Sequence, residues 1–246
     1  MSTPTSSFFL RPLFFVFVFL LPGSDAVYDV VKFGAKADGS ADSARSFLKA
    51  WSYACNSRSP ATLYVPAGRF LVTQAVFRGP CKNSMIKFLI QGTLVAPSGY
   101  GGSGGSDRWI AFSGVNGVSI SGGGTLDGSG SRLWDCKLAG RSCPSGTSSL
   151  TFVNSKNIAV DGLTSIDSKL FHIVSSGIRI SQVKYKNIRG TSATPLAVTF
   201  DCSPSNPCSG IIMQDIKLSY HSQRAQSSCK YANGVASGLN VPPSCL

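Results

Sequence analysis

One short sequence motif recurs along the chain and limits the folds that the chain can adopt. A turn residue precedes a strand in which polar and β-branched residues alternate, as in Asn157-Ile158-Ala159-Val160. A similar motif occurs forty residues earlier, at 116–120, and again at 176–180 and 209–213. Units of this length stack as coils, and each coil covers the apolar face of its neighbour. The repeats therefore predict an all-β solenoid, a parallel β-helix.

The first half of the chain contains the elements that would begin such a solenoid. Residues 61–92 form short runs of β-branched and aromatic residues that end at Pro or Gly, which indicates strands. One helix is predicted, over Asp42–Cys55, with its first residue as the cap and with Phe47 and Trp51 on its apolar face. A helix there would cover the open end of the first coil. The glycine-rich stretch 98–107 is expected to be a surface loop, and it lacks the Lys-Ser/Thr of a phosphate-binding loop.

The amino terminus has the composition of a secretory signal. Residues 1–26 contain one positive charge (Arg11), an apolar run and the small-x-small ending Ser24-Asp25-Ala26. A bilayer-spanning helix needs about 20 apolar residues, more than this run offers. We therefore expect a cleaved leader and a secreted mature chain, 27–246, that forms one domain and has no further contact with a membrane.

The chain is basic, with a net charge of +12, and its acidic residues are all aspartate. Outside a cell, such a charge suits an acidic polysaccharide or another anionic surface. Export argues against a nucleic acid as the partner. Charge alone is equally compatible with a basic protein that has no polyanionic partner.

Eight cysteines follow the leader, and an even number in an exported chain predicts disulfides. Eight cysteines allow 105 pairings. The simplest joins neighbours in sequence: Cys55 with Cys81, Cys136 with Cys143, Cys202 with Cys208, and Cys229 with Cys245. No Cys-x-x-Cys occurs, and the histidines are His172 and His221, so we expect neither a metal site nor a cofactor.

Eight segments of the mature chain follow one another in an order typical of a known family: Val31–Ala35, Tyr64–Gly68, Phe77–Cys81, Gly92–Pro97, Gly123–Gly128, Phe171–Val174, Gly190–Ala193 and Phe200–Pro204. In these segments the chain resembles the plant polygalacturonases, glycoside hydrolases of family 28 that hydrolyse pectin. The resemblance covers nearly all of the mature chain. It implies a right-handed parallel β-helix, a location in the cell wall and pectin (polygalacturonate) as the partner. We expect a monomer.

The resemblance also exposes a gap. In that family, Asn-Thr-Asp, Asp-Asp, Gly-His-Gly and Arg-Ile-Lys motifs carry the chemistry, and they lie between the equivalents of Phe171–Val174 and Gly177–Ser181. Here Val174 is followed directly by Ser175, and none of the four motifs occurs. We therefore expect about 150 residues of coils to be missing at this seam. By resemblance, the chain has no catalytic residue.

The remaining side chains offer few replacements. Inverting hydrolysis needs an acid and a base about 6.5–9.5 Å apart, and the acid must have a raised pKa. Asp127 and Asp167 occupy equivalent repeat positions and would stack about 9.6 Å apart if two coils separated them. We favour a turn role for Asp127, Asp161 and Asp201, because aspartate accepts backbone hydrogen bonds in turns. His172, inside a strand, is expected to be packed or on the side of a turn, and not catalytic.

A basic cluster follows the seam. Lys184, Lys186 and Arg189 are either a solvated face or a contact for a uronate chain. The expected function is that of a polygalacturonase-family protein of pectin metabolism and cell wall modification that does not hydrolyse α-1,4-galacturonosidic bonds. The alternatives are a non-enzymatic pectin-binding protein and, less favoured, a pectin lyase or esterase.

The loss of whole coils is compatible with a continuous helix, because contacts in a solenoid are mostly between neighbours. The risk is that the apolar positions on the two sides of the seam are out of register. In that case Ile178 and Ile180 would not align with Leu170 and Ile173.

Overall fold

The computed structural model describes residues 25–99, 107–177, 181–192 and 194–246. Most of the predicted leader and of the 98–107 loop lies outside these ranges, as do Ile178 and Ile180. The described chain winds into a parallel β-helix with three sheets, here called A, B and C. Neighbouring strands pair in parallel, apart from one antiparallel pair at the end of sheet B.

The strands of sheet A, in spatial order, are β1 (Ala26–Asp29), β3 (Ala61–Val65), β6 (Ile86–Ile90), β9 (Asn116–Ser121), β12 (Lys156–Asp161), β15 (Ser181–Lys186), β18 (Cys208–Gln214) and β22 (Ala232–Ser237). The strands of sheet B are β2 (Asp38–Asp42), β4 (Arg69–Leu71), β7 (Thr93–Val95), β10 (Thr125–Asp127), β13 (Thr164–Ser168), β16 (Arg189–Ser192), β19 (Lys217–Tyr220) and β20 (Gln223–Arg224). The strands of sheet C are β5 (Ala75–Arg78), β8 (Arg108–Ser113), β11 (Ser148–Val153), β14 (Ile173–Gly177), β17 (Leu196–Cys202) and β21 (Gln226–Lys230).

A left-handed turn residue ends each of the later strands of sheet A. The positions are Gly122, Gly162, Asn187, Asp215 and Gly238, all with positive φ. Glycine adopts this backbone without strain, and asparagine and aspartate tolerate it better than other side chains. The recurring Gly, Asn and Asp of the sequence therefore direct the chain from sheet A into sheet B once per coil.

The recurring sequence motif sets the register of sheet A, with one exception. Val118 pairs with Ile158, as the sequence predicts. The motif at 176–180 is not the repeat that follows 157–160 in sheet A, however, because Ile158 pairs with Val183. Gln182, just before Val183, adopts the left-handed conformation that a Gly or Asn occupies in other coils. Glutamine is not a residue typical of turns, so this coil could not be recognised from the sequence.

The amino-terminal end of the solenoid is covered by a helix, as predicted. Helix α1 (Ala44–Asn56) begins two residues later than predicted, because Asp42 ends β2 and accepts a hydrogen bond from the backbone N–H of Ala44. The buried Phe47 and Trp51 enter the core, and the Trp51 indole N–H donates to the Arg78 carbonyl at 3.0 Å. The apolar face of α1 therefore closes the first coil.

The sequence failed to predict a second helix. Helix α2 (Ser131–Leu138) follows β10 and buries Leu133 and Cys136, while its cap, Gly130, has no side chain that could mark the start. A 3-10 turn also spans Val30–Phe33. The short length of α2 and its absent cap explain why it carries little sequence signal.

The four nearest-neighbour disulfides are all present. They join Cys55 to Cys81, Cys136 to Cys143, Cys202 to Cys208, and Cys229 to Cys245. The first joins α1 to the turn after β5, and the last ties the carboxyl terminus to β21. Each bridge closes a short loop and so fixes a turn or an end of the solenoid.

The helix is continuous where the sequence predicts missing coils. Ile173, just before the seam, pairs with Leu150 on one side and with Val198 on the other. All three side chains are buried. The apolar rows of sheet C therefore pass through the seam in phase.

Candidate functional site

The carboxyl groups can be surveyed in full, because all eleven aspartates lie in described residues and the chain has no glutamate. Several accept hydrogen bonds in turns. Asp29, Asp38 and Asp215 accept from backbone N–H groups. Asp161 accepts from the Asn187 side chain at 3.0 Å. These groups serve the architecture. The predicted turn roles differ in detail, because the partner of Asp161 is a side chain of the next coil and Asp201 lies within β17.

Asp127 and Asp167 are on adjacent coils, so the assumption that two coils separate them is wrong. Strand β10 pairs directly with β13, and the register partner of Asp127 is Ile166. Asp167 has a positive φ and lies at an irregularity in the pairing of β13 with β16. Adjacent strands are about 4.8 Å apart, so the two residues are one strand step apart and not the two steps, about 9.6 Å, that the sequence predicted.

The two carboxyl groups have different surroundings. Asp127 accepts from the backbone N–H of Ser129, which confirms its turn role, and it forms an ion pair of 3.4 Å with Arg69. Asp167 accepts from the Thr191 hydroxyl at 3.4 Å. Partial burial, reinforced by the negative charge of Asp127, raises the pKa of Asp167. This pair is the one carboxyl arrangement in the described chain with the asymmetry of an acid and a base.

Helix α2 begins beside the Asp167 segment. The backbone N–H of Gly130 donates to the Asp167 carbonyl at 2.8 Å, and the Trp134 indole donates to the Ser168 carbonyl at 3.1 Å. The pair therefore lies on the outer face of sheet B beside a short helix. Its carboxylates are engaged by Arg69 and Thr191.

His172 is packed inside the helix, as expected, and cannot reach a ligand outside. Its side chain is fully buried, and Nδ1 lies 2.7 Å from the Ser165 hydroxyl. Burial lowers the pKa of His172 to about 4. The imidazole is therefore neutral at ordinary pH.

A cavity of about 240 Å³ lies on the outer face of sheet C. Asp107, Arg108, Thr151, Phe171 and Asp201 are among the residues that line it. Asp107 precedes β8 and Asp201 belongs to β17, three strands further along the sheet. Three strand steps amount to about 14 Å, so these carboxylates are too far apart for concerted acid–base hydrolysis.

The predicted basic cluster is divided between two faces. Lys184 and Lys186 lie on β15 in sheet A, whereas Arg189 lies on β16 in sheet B. The two lysines instead line a cavity of about 460 Å³ together with Lys87, which is distant in sequence. Stacking of coils creates this grouping, and linear spacing could not reveal it.

Sequence reasoning also missed a buried lysine. Lys169, in the turn between β13 and β14, is 2% exposed, and its ammonium donates to the Pro97 carbonyl. Burial lowers the pKa of Lys169. The residue ties the turn after Asp167 to the segment after β7, and nothing in the local sequence marks it.

Two classes of feature are absent from the described part of the chain. It contains no group of three or more His, Cys or Asp side chains that could hold a metal ion. None of its helices has the length and apolarity needed to cross a bilayer.

The family profile described as "Glycosyl hydrolases family 28" matches residues 55–176 and 173–241. The two matched pieces together cover well over half of the chain. They meet at 173–176, in β14, where the sequence predicts the seam.

A polygalacturonase of Prunus persica is 32% identical in an alignment over 388 residues, which covers 96% of this chain and 98% of the peach protein. Because this chain has 246 residues, at least 142 of the aligned positions (388 less 246) have no residue here. An Arabidopsis thaliana protein named exopolygalacturonase clone GBGE184 is 35% identical over 69% of this chain and 39% of its own length. The chain thus spans well under half of that relative.

A hyperthermoactive exopolygalacturonase from Thermotoga maritima has a similar structure. The TM-score is 0.54 with 16% sequence identity, over 88% of this chain and 66% of the bacterial one. At this identity the likeness concerns the fold alone. It confirms the expected right-handed parallel β-helix, the hand that parallel strand crossovers take in proteins.

Proposed function

Because the chain belongs to glycosyl hydrolase family 28, we propose that it is a secreted, pectin-directed protein that binds acidic pectin chains and does not hydrolyse them. The names of the similar plant proteins, polygalacturonase and exopolygalacturonase, support polygalacturonate as the ligand. The net charge of +12 supports it as well, because polygalacturonate is a polyanion.

The arrangement of the carboxyl groups is the observation that carries the absence of hydrolysis. All eleven are described, and the charge of Asp127 acts on Asp167. These two residues lie on adjacent strands, and Arg69 and Thr191 engage them. Glycoside hydrolysis needs two carboxyl groups that flank a bound sugar and leave room for its reacting centre. The engagement of both carboxylates by neighbouring side chains supports the absence of hydrolysis.

The position of the gap supports the same proposal. The family profile matches in two pieces that meet at 173–176, and the alignment with the peach protein leaves at least 142 positions (388 less 246) without a residue here. By resemblance, the four catalytic motifs belong to the missing portion. Loss of the acid, the base and the substrate-binding cations together would remove positioning and proton transfer at once.

Export accounts for the disulfides. We propose that residues 1–26 are cleaved, that 27–246 forms one domain and that the protein acts in the cell wall as a monomer. Four bridges with no free cysteine in the described chain suit an oxidising compartment.

Two assays on the purified mature chain test this function. Co-sedimentation with insoluble polygalacturonate at low salt is expected to retain the protein, and retention should fall as salt rises. A reducing-end assay on the same polymer is expected to stay at the level of a buffer blank. Reducing ends that accumulate, and that disappear in an Asp127→Asn/Asp167→Asn variant, would overturn the proposal and show that this pair is catalytic. Absence of retention at low salt would overturn the binding function.

A further inference from the structure

The outer face of sheet A carries a groove that sequence order conceals. Lys87, Ser119, Ala159 and Lys184 are consecutive register partners on β6, β9, β12 and β15, so their side chains form one outward row. Lysines stand at the two ends of the row, and small residues lie between them. The result is a cavity of about 460 Å³ with a floor of small residues and lysines at its edges.

The groove continues towards the amino-terminal end of the solenoid. A second cavity, of about 590 Å³, shares Lys87, Ser119 and Ala159 with the first and reaches Thr62 on β3. From β3 to β15 there are four strand steps, or about 19 Å. A ligand in this groove would lie across the strands, along the axis of the helix, and it could be an extended polymer.

The cations of the groove are available to an external anion. Lys87 and Lys184 are exposed, Lys186 is partly exposed, and none of the three forms an ion pair within the described residues. Two carboxylates also line the two cavities. Asp161 is engaged by the Asn187 side chain, and Asp25, at the far end of the second cavity, belongs to the leader that we propose is cleaved.

The chemistry of the lining favours one class of polyanion. Lysine ammonium groups act as point charges and attract carboxylates and phosphates alike, so the uncharged part of the lining decides between them. The hydroxyls of Ser119 and Ser121 can bond to sugar hydroxyls. Neither cavity is lined by an aromatic side chain on which nucleic acid bases could stack.

We infer that this groove binds a polyuronate chain, with Lys87 at one end of the groove and Lys184 and Lys186 at the other contacting different carboxylates of the same chain. The inference rests on the proposed function and assigns it to a particular face. The site lies on sheet A, away from the Asp127 and Asp167 pair on sheet B and from the cavity on sheet C.

A charge-matched pair of variants tests the site. In the first, the three groove lysines are replaced together: Lys87→Gln, Lys184→Gln and Lys186→Gln. The control replaces three exposed lysines on α1, α2 and β21: Lys49→Gln, Lys137→Gln and Lys230→Gln. Both variants lose three positive charges, so a difference between them reports on position. Circular dichroism and Tm establish that both are folded, and all substituted side chains lie on the surface.

Affinity is measured by calorimetry with polygalacturonate oligomers at low salt. We expect the groove variant to bind at least tenfold more weakly than the parent, with the control within about twofold. Fully methyl-esterified oligomers, which lack the charge, should bind no variant measurably. Single-stranded oligo-dT of matched charge should bind the parent at least tenfold more weakly than the uronate.

The outcomes separate the site from the function. If the parent binds polygalacturonate and the two triple variants weaken equally, the groove is not the site, although pectin binding stands. If oligo-dT binds as tightly as the uronate, the groove is a general polyanion surface and the inference is wrong. If the parent binds no polygalacturonate, the function and the site are both overturned.

Discussion

Ser175 Oγ and Tyr185 Oη lie 2.7 Å apart inside the helix, at the coil where the sequence predicts the seam. Along sheet C the inward positions in this row are Phe77, Phe112, Phe152, Ser175 and Phe200. Ser175 thus interrupts a row of phenylalanines. The Tyr185 ring enters from sheet A and fills the space, with its centroid 6.2 Å from that of Phe152 and 5.9 Å from that of Phe200.

This pair should be strongly coupled in stability. Ser175→Ala leaves the fully buried Tyr185 hydroxyl without its partner, which costs about 1–3 kcal/mol of unfolding free energy. Adding Tyr185→Phe removes the stranded hydroxyl, so the double variant should be no less stable than Ser175→Ala. Urea unfolding of the parent, both single variants and the double variant gives the coupling, expected to be about 1 kcal/mol or more. Strictly additive losses would show that the hydroxyls do not depend on each other.

His172 should make the protein less stable in acid. Its pKa is about 4 in the folded chain and 6.5 when it is unperturbed, because burial disfavours the charged form. The unfolded state therefore binds more protons between these values. The contribution is fully present above pH 6.5 and is lost as the pH falls through 4, and it amounts to about 3 kcal/mol. Between pH 6.5 and 4, the unfolding free energy of His172→Gln should therefore fall by about 3 kcal/mol less than that of the parent.

The exposed His221 provides the control. His221→Gln makes the same substitution at an imidazole that lies on the surface. The slope is the deciding measurement, since His172→Gln also alters packing and can shift the whole curve. An unchanged slope in His172→Gln would mean that His172 titrates alike in both states.

The sequence predicted the solenoid because its signals recur in most coils. The alternation around Ile158 and the left-handed turn residues Gly162 and Asn187 follow from backbone sterics that any coil must satisfy. Coil length is not constrained in the same way, since the turns between sheets vary. The position of Asp167 relative to Asp127 was therefore wrong, and the repeat after Ile158 was assigned to 176–180 in place of the segment that contains Val183.

The candidate sites were harder to predict, because they depend on which coils are neighbours. Lys87 and Lys184 are far apart in sequence and separated by three strand steps in sheet A. The burial of Lys169 depends on the Pro97 segment of a previous coil. The burial of His172 was expected, but its position within a strand was wrong, because the residue lies in the bend just before β14.

Asp167 should destabilise the folded protein when it is ionised. Partial burial and the charge of Asp127 raise its pKa, so the folded state holds the proton more tightly than the unfolded state. Stability is then greatest where Asp167 is protonated and declines as the pH rises through the raised pKa. Asp167→Asn should raise Tm at pH 7 by about 1–3 °C, a small effect because the group is partly solvated.

The charge of Asp127 can be tested separately. Asp127→Asn should lower the pKa of Asp167, measured by NMR titration of its carboxyl carbon, because a neighbouring negative charge is removed. Arg69→Gln removes the ion pair of Asp127 and keeps its charge, so it should not lower that pKa. Equal effects of both variants would point to a structural shift instead of electrostatics.

The disulfides should contribute unequally to the free energy of unfolding, according to the lengths of the loops that they close. The Cys55–Cys81 bridge spans 26 residues and holds α1 over the end of the solenoid, whereas Cys136–Cys143 spans 7. Chain entropy predicts losses of about 3.5 and 2.3 kcal/mol when each is removed. In urea unfolding, Cys55→Ser/Cys81→Ser should therefore be less stable than Cys136→Ser/Cys143→Ser. Because α1 also covers Phe88 and Phe112, its release should increase the difference, and a reversed order would show that α1 stays in place without its bridge.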